Sequence, residues 1–299
     1  MQSPKSAPRL SPDQSVLTFE AIGTQWKIEL DALPKKALNN LFKVIKARIA
    51  EFDKVYSRFR KDSLVADMAR RAGEYELPAD AEPMIKLYDK LYAVTDGRMT
   101  PAIGDVLEAA GYDADYSLKP GEVESPPAWP DVATYKPPML TLNQPVCLDF
   151  GAAGKGYLVD IIADLLTDTE GVEQFCINAG GDIVCRGPEP TRIALEHPEH
   201  PALGIGVVTI TNMSLCGSAG NRRQWSGYHH VIDPIKLVSP NHRKAVWVVA
   251  ENGLLADGLS TALYFVEPAE LAKHFTFEYA IVNEDMSLNY SPNFPAEFF

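Results

Sequence analysis

The chain has 299 residues, enough for one large domain or two ordinary ones, and 46 % of them are hydrophobic, so a sizeable core can form. Its net charge of −12 argues against general binding to nucleic acid or to an anionic membrane surface, though not against a local basic pocket for one phosphorylated ligand. No run of about 18 apolar residues exists, so no membrane span is expected, and four cysteines without a CxxC pair suggest neither a zinc site nor a disulfide framework.

Residues 1–14 are polar and Pro-rich and read as a disordered tail. They lack the apolar stretch of a secretory signal, which places the chain in the cytoplasm, or in the periplasm or at a membrane if an export segment has been removed. Residues 16–30 alternate apolar and polar side chains, giving one or two strands broken at Gly23. From Pro34 to about Arg60 the apolar positions Leu38, Leu41, Val44, Ile45, Ile49, Phe52 and Val55 predict a long amphipathic helix, followed by a shorter one over 64–71. A further helix is predicted over 78–95 and a short helical turn within 98–112. Residues 113–138 carry six prolines without a period and read as a surface excursion.

Residues 146–187 are the organising stretch. An apolar run from Val146 to Phe150, interrupted by Asp149, precedes the small-residue turn Gly151-Ala152-Ala153-Gly154-Lys155-Gly156. Tyr157, Val159, Ile161, Ile162, Leu165 and Leu166 then recur at helical spacing, and a second apolar run, 175–177, leads to Asn178-Ala179-Gly180-Gly181-Asp182. The pattern predicts strand, Gly-rich loop, helix, strand, Gly-rich loop. Glycines let backbone amides approach a ligand, a helix start favours anions, and Lys155 adds a point charge, so phosphate is a natural guest. The turn is neither a nucleotide-hydrolase phosphate loop nor a GxGxxG motif, and the alternative is a plain tight connection.

The remaining elements are strands at 192–195, 205–210 and 213–218, a short extended run at 229–232 stopped by Asp233-Pro234, and a strongly apolar strand at 245–250. Asn252 can cap a helix over 253–266, and 275–282 with 287–290 reads as a terminal strand pair. Strands mixed with helices, without strict alternation, indicate an α+β fold.

On the helix after Asn252, Asp257 and Thr261 share one face. Asp257 is either a dipole-stabilising carboxylate or, with a hydroxyl and a loop carbonyl, a ligand for a hard cation such as Mg²⁺. His229 and His230 lie in one extended run and should face opposite sides, one toward a cleft and the other toward solvent. Arg222 and Arg223 could meet a phosphate.

In chain order these blocks resemble the ApbE family, the FAD:protein FMN transferases. The resemblance covers roughly 16–290. It rests on Gly23-Thr24-Gln25-Trp26, Ser57-Arg58-Phe59-Arg60-Lys61-Asp62-Ser63 and Thr95-Asp96-Gly97 with Ile103-Gly104. It rests further on Leu148-Asp149-Phe150-Gly151-Ala152-Ala153-Gly154-Lys155-Gly156-Tyr157, Asn178-Ala179-Gly180-Gly181-Asp182-Ile183, His230-Val231-Ile232-Asp233-Pro234 and Leu255-Ala256-Asp257-Gly258-Leu259-Ser260-Thr261.

The resemblance implies an ApbE/T-fold-like domain over 15–299, with mostly antiparallel sheets, packed helices and an FAD cleft between layers. It implies an enzyme that, with Mg²⁺, splits FAD, attaches FMN to a Thr or Ser of an acceptor flavoprotein and releases AMP. FAD binding without transfer, or Mg²⁺-dependent FAD hydrolysis, are the alternatives. The metal ligands implied are Asp257, Ser260, Thr261 and the carbonyl of Ala152. The FAD contacts implied are Thr24, Phe59, Arg98, Met99, Thr100, Asp149, Lys155, Gly180, Gly181, Ser218, His230 and Val231. His230 is the implied base, Lys155 lies near the diphosphate, and Phe59 stacks on the flavin or the adenine where the family often has Tyr. The chain departs from the family pattern at Thr100, Ala102, Asn221 and His229, and it lacks the lipid-anchoring cysteine.

Overall fold

The computed structural model describes residues 14–220 and 224–299. The predicted disordered tail therefore lies outside the described residues except at Gln14, which already belongs to a strand. β1 (Gln14–Ala21) and β2 (Thr24–Asp31) form a hairpin in continuous register. Its two-residue turn places Ile22 at φ 45° and Gly23 at φ 71°, the left-handed pair that matches the twist of a tight hairpin.

α1 (Lys35–Tyr56) buries Leu41, Ile45, Ile49, Phe52 and Tyr56, one stripe at helical spacing. α2 (Leu64–Met68) is capped by Ser63, whose Oγ accepts from the Ala66 amide at 3.0 Å. β3 (Gly73–Glu76) and α3 (Glu82–Val94) follow, then a 3₁₀ turn over Pro101–Ile103 and α4 (Gly104–Ala109).

The surface excursion is shorter than predicted. α5 (Trp129–Val132) buries its tryptophan, and β4 (Ala133–Lys136) and β5 (Met139–Leu142) join β3 in an antiparallel sheet of order β3-β5-β4. The strand predicted at Val146–Phe150 is absent as a ladder element. That segment is pinned to three separate places, by Val146 N to Met68 O, Gly104 N to Cys147 O, and Asp149 N to Pro101 O.

The rest of the chain supplies α6 (Gly154–Thr167), β6 (Phe175–Ala179), β7 (Asp182–Arg186), β8 (Thr191–Glu196), β9 (Gly204–Ile210) and β10 (Ser214–Ala219). β11 (Gln224–Trp225), β12 (Tyr228–His229) and β13 (Arg243–Ala250) lead to α7 (Gly253–Ala262) and α8 (Pro268–Leu271). β14 (Glu278–Asn283), β15 (Leu288–Tyr290) and β16 (Ala296–Phe298) close the fold.

An eight-stranded sheet of order β1-β2-β6-β7-β10-β13-β14-β15 is the backbone of the α+β architecture, and its neighbours pair antiparallel. Side-chain alternation divides its two faces. Ile183 and Cys185 of β7 pack with Leu195, Val208 and Ile210 of a small sheet ordered β16-β9-β8. Val184 points the other way and joins Leu158 and Ile162 of α6 and Leu259 of α7 in the main core. α1 packs on α6, and α3 on α7. Cys176 and Cys185 are opposite one another in the β6–β7 register and are joined as a disulfide, which the sequence did not suggest; Cys147 and Cys216 are free and buried. Among the described residues no helix is long and apolar enough to cross a membrane.

Candidate functional site

The site starts where α6 and α7 touch. Gly156 allows that contact, since a Cβ there would lie 2.1 Å from the Gly253 carbonyl oxygen and 2.6 Å from the Asp257 Cβ. The start of α7 is held by Asn252, whose Oδ1 accepts from Leu255 N at 2.8 Å, and by Asp160 of α6, which accepts from Gly253 N and Leu254 N at 2.7 Å each. Burial nonetheless pushes the Asp160 carboxyl up to about 6.

This clamp aims Asp257 inward, where its Oδ2 accepts from Gly156 N at 2.9 Å. Burial first, and Asp182 second, push the Asp257 carboxyl up to about 8, against the pull of Lys155 and the Gly156 amide. Lys155 pairs with Asp182, whose side chain is 1 % exposed. Burial disfavours the Lys155 charge, but Asp182 and then Asp257 outweigh it and hold the ammonium above its ordinary range.

One α-helical turn from Asp257, the Thr261 Oγ1 lies 3.5 Å from the carbonyl oxygen of Ala152. Ser260, predicted beside them, is turned away. Its hydroxyl bonds Ser218 Oγ at 2.7 Å and the Asp257 carbonyl at 2.9 Å, because i+3 falls on the β10 side of the helix while i+4 falls on the cavity side.

A cavity of about 580 Å³ opens here, a size suited to a sizeable small molecule. Lys155, Asp257, Thr261, Ala152 and Asp149 line it at the α6–α7 end. Thr24, Gly180 and Ser218 line it from the main sheet; a Cβ on Gly180, at φ 70°, would sit 1.9 Å from Thr24 Oγ1, so glycine is required there. Phe59, Arg98, Met99, Thr100, His230 and Val231 complete the predicted set on this surface. Gly181 is not on it: the Gly181 amide turns back to Asn178 Oδ1 at 3.0 Å to shape the turn.

Several lining residues are already committed to local contacts. Asp149 accepts from Gly151 N at 2.6 Å and from the Arg58 guanidinium. Burial lowers the affinity of Arg58 for its proton, but the Asp149 carboxylate more than offsets it, so the group stays charged. Thr100 accepts from Ala102 N at 3.1 Å and caps the 3₁₀ turn, and Arg98 Nε stands 3.4 Å from Asp233.

His230 faces the cavity as predicted, but His229 is not its solvent-facing counterpart. At 3 % exposure, its Nδ1 accepts from Val231 N at 3.2 Å and its Nε2 donates to the Pro240 carbonyl at 2.9 Å. Burial lowers its proton affinity and favours that neutral tautomer. Asn221, Arg222 and Arg223 lie outside the described residues.

The donors Asp257, Thr261 and the Ala152 carbonyl are all hard oxygens, the set that Mg²⁺ takes. The electrostatics agree. Lys155 is already paired with Asp182, and Asp257 is raised by burial first and by the neighbouring Asp182 second, so a divalent cation bound there would offset both effects.

The sequence did not single out Arg58, Asp160 or Tyr116, nor a role for Asp182. Only Arg58 and Asp182 carried a signal, through the motifs that contain them. A second concavity, of about 650 Å³, lies by His242 and Arg243, but Arg243 is spent on the Val266 carbonyl and Glu267.

A model of the ApbE family matches residues 22–280. A protein of Rhodobacter capsulatus named FAD:protein FMN transferase is 25 % identical over 273 residues, covering 85 % of this chain but only 51 % of that protein. The chain thus spans about half the length of that relative. The protein of the same name from Salmonella typhimurium is 24 % identical over 279 residues, covering 85 % of this chain and 79 % of that one. Among solved structures, the ApbE protein of Thermotoga maritima superposes with a TM-score of 0.83 at 21 % identity, covering 95 % of this chain and 100 % of the other. The flavin transferase ApbE of Vibrio cholerae gives 0.80 at 21 % identity, covering 94 % and 98 %.

Proposed function

The chain belongs to the ApbE family, and on that premise we propose that it is a Mg²⁺-dependent FAD:protein FMN transferase that moves FMN from FAD to a Thr or Ser hydroxyl of an acceptor flavoprotein. One observation carries the reading: Lys155, Asp257, Thr261, the Ala152 turn and His230 line one cavity although they come from three separated stretches of sequence.

Phosphoryl transfer depends on charge neutralisation and on alignment of the incoming and leaving oxygens. Asp257, Thr261 and the Ala152 carbonyl would hold Mg²⁺, which when bound neutralises charge on the diphosphate. Lys155, kept protonated by Asp182 and Asp257, offers its ammonium to the same oxygens. His230 accepts the proton of the acceptor hydroxyl as that oxygen bonds the flavin-side phosphorus. The bond from that phosphorus to the oxygen bridging to the adenosine-side phosphate breaks, and AMP departs with the bridging oxygen. His229, fixed by Val231 and Pro240, holds the His230 backbone in place.

The test incubates the protein with FAD, Mg²⁺ and an acceptor domain, and reads protein-bound flavin fluorescence in a denaturing gel beside AMP release. Equal amounts of labelled acceptor and AMP support transfer. AMP and free FMN at the same rate without acceptor would mean hydrolysis, and FAD binding without AMP would mean a carrier.

A further inference from the structure

We propose that Tyr116 carries the flavin: the isoalloxazine ring of FAD stacks on the Tyr116 phenol at the cavity mouth, with Phe59 as the ring behind it. The proposal rests on the transferase reading and adds a recognition residue that neither the sequence motifs nor the family resemblance singles out.

Phe59 is heavily flanked already. The Arg58 guanidinium carbon lies 4.2 Å from its ring centroid, the Tyr116 ring is nearly parallel to it (13°) at 5.6 Å, and Tyr112 meets it edge-on at 5.5 Å. Tyr112 also meets Tyr116 edge-on at 5.5 Å, so the three rings form one cluster. Within it Tyr116 presents the largest open aromatic surface: it is 49 % exposed and lines the cavity, whereas Tyr112 is 6 % exposed.

The loop is built to hold Tyr116 there. Tyr116 and Leu118 have φ of 51° and 53°, left-handed conformations that cost a residue with a side chain. They are over-determined by their surroundings. Asp113 Oδ1 accepts from Asp115 N at 3.0 Å and Ser117 N at 2.9 Å, and the Tyr116 amide donates to the Asp113 carbonyl at 3.1 Å. The Leu118 amide donates to the Gly111 carbonyl at 2.8 Å, and Gly111, at φ 97°, has no room for a Cβ, which would lie 2.6 Å from Lys119 N. A half-exposed aromatic side chain gains little by packing, so backbone strain maintained to present it fits a ligand contact better than a core contact. Across the mouth, the Tyr116 hydroxyl lies 4.0 Å from the Cβ position of Gly23, in the hairpin turn whose Ile22 and Gly23 also line the cavity.

The flavin suits this position better than the adenine. It is the half handed to the acceptor, so it belongs at the exposed end. Its three fused rings are electron-poor and stack well on a phenol backed by a second parallel ring.

Tyr116→Ala and Tyr116→Phe are compared with the unaltered protein for binding of FAD, FMN and AMP, with thermal melting as the control for folding. The expected result is that Tyr116→Ala weakens FAD and FMN about tenfold, in the range for loss of one stacked aromatic. It should also raise the fluorescence of bound flavin and leave AMP within about twofold. Tyr116→Phe, which keeps the ring, should bind all three as the unaltered protein does. FAD and FMN affinities unchanged in Tyr116→Ala would overturn the proposal while leaving the transferase reading intact. Weakening confined to AMP would overturn the flavin assignment. Failure of the unaltered protein to bind FAD would remove both.

Discussion

The two ends of the cavity are built differently. At the α6–α7 end each polar group is fixed by another buried group: Asp257 by the Gly156 amide, Lys155 by Asp182, and Asp160 by the first amides of α7. At the aromatic end Phe59 and Tyr116 come from loops, and Tyr116 is half exposed. Groups that stabilise charge in a transition state act best when already oriented, so rigidity there favours the chemistry. A surface that must admit and release a large flat ligand works with loops. Damage at the first end should therefore stop the reaction or weaken the fold, and damage at the second should change affinity alone.

The sharpest test of that contrast is Asp257→Asn, which keeps the shape and an oxygen for the Gly156 amide but removes the charge a cation needs. Transfer should fall by about 10³-fold at saturating Mg²⁺, several kcal/mol of lost charge stabilisation, with metal-free FAD binding retained. Transfer within about tenfold of normal would show that the α6–α7 end does not hold the metal. Next is His230→Ala, for which a loss of about 10²-fold or more in transfer is expected, with FAD affinity nearly unchanged, as for removal of a general base. A large loss of FAD affinity instead would move His230 from proton transfer to binding. Gly156→Ala tests the rigid end through stability: with a Cβ 2.1 Å from the Gly253 carbonyl oxygen, α6 and α7 must separate. Urea unfolding should show a loss of about 3 kcal/mol, the upper part of the overpacking range, whereas Tyr116→Ala should leave the midpoint in place.

The same contrast governs what could be read from the amino acids. Lys155, Asp257 and Thr261 were legible because glycines at 151, 154 and 156 and an i, i+4 pair leave a pattern that packing then enforces. Ser260 shares the Asp257 and Thr261 motif yet points to Ser218, because identity in a motif does not say which side of a helix faces the cavity. Asp160 left no mark, since a carboxylate on a helix surface and one capping a neighbouring helix look alike until the helices are placed together. Tyr116 lay inside what read as an irregular excursion, and its position depends on left-handed backbone at non-glycine residues, which local propensity argues against. Among the strands, β3, β4 and β5 were missed because four residues are too few to display a two-residue period. The long helix carries a strong period and is predicted, and the break at Gly23 in the one or two predicted strands is the turn of the β1–β2 hairpin.

The mildest expected effect is a pH dependence rooted at the rigid end. The Asp160 carboxyl rises from 3.8 in its ordinary state to about 6 in the folded protein, burial being the main cause. The folded state therefore holds this proton more tightly than the unfolded chain does, and between about pH 4 and pH 6 this group lowers stability as pH rises; its cost is complete above about 6. Other carboxylates titrate in the same range, so the total slope does not isolate Asp160, whereas a comparison with Asp160→Asn does. Asparagine cannot ionise, and its single oxygen caps only one of the two amides, a roughly constant penalty. The stability advantage of the unaltered protein over Asp160→Asn should shrink by about 2 kcal/mol across that window, less than the full shift implies because the side chain keeps some solvent contact. Urea unfolding of both proteins at intervals from about pH 4 to 7 measures it. A difference that stays flat would mean the α6–α7 clamp is ionised in both states with equal ease, and the rigid end would then be less dehydrated than the packing of Gly156 against Gly253 implies.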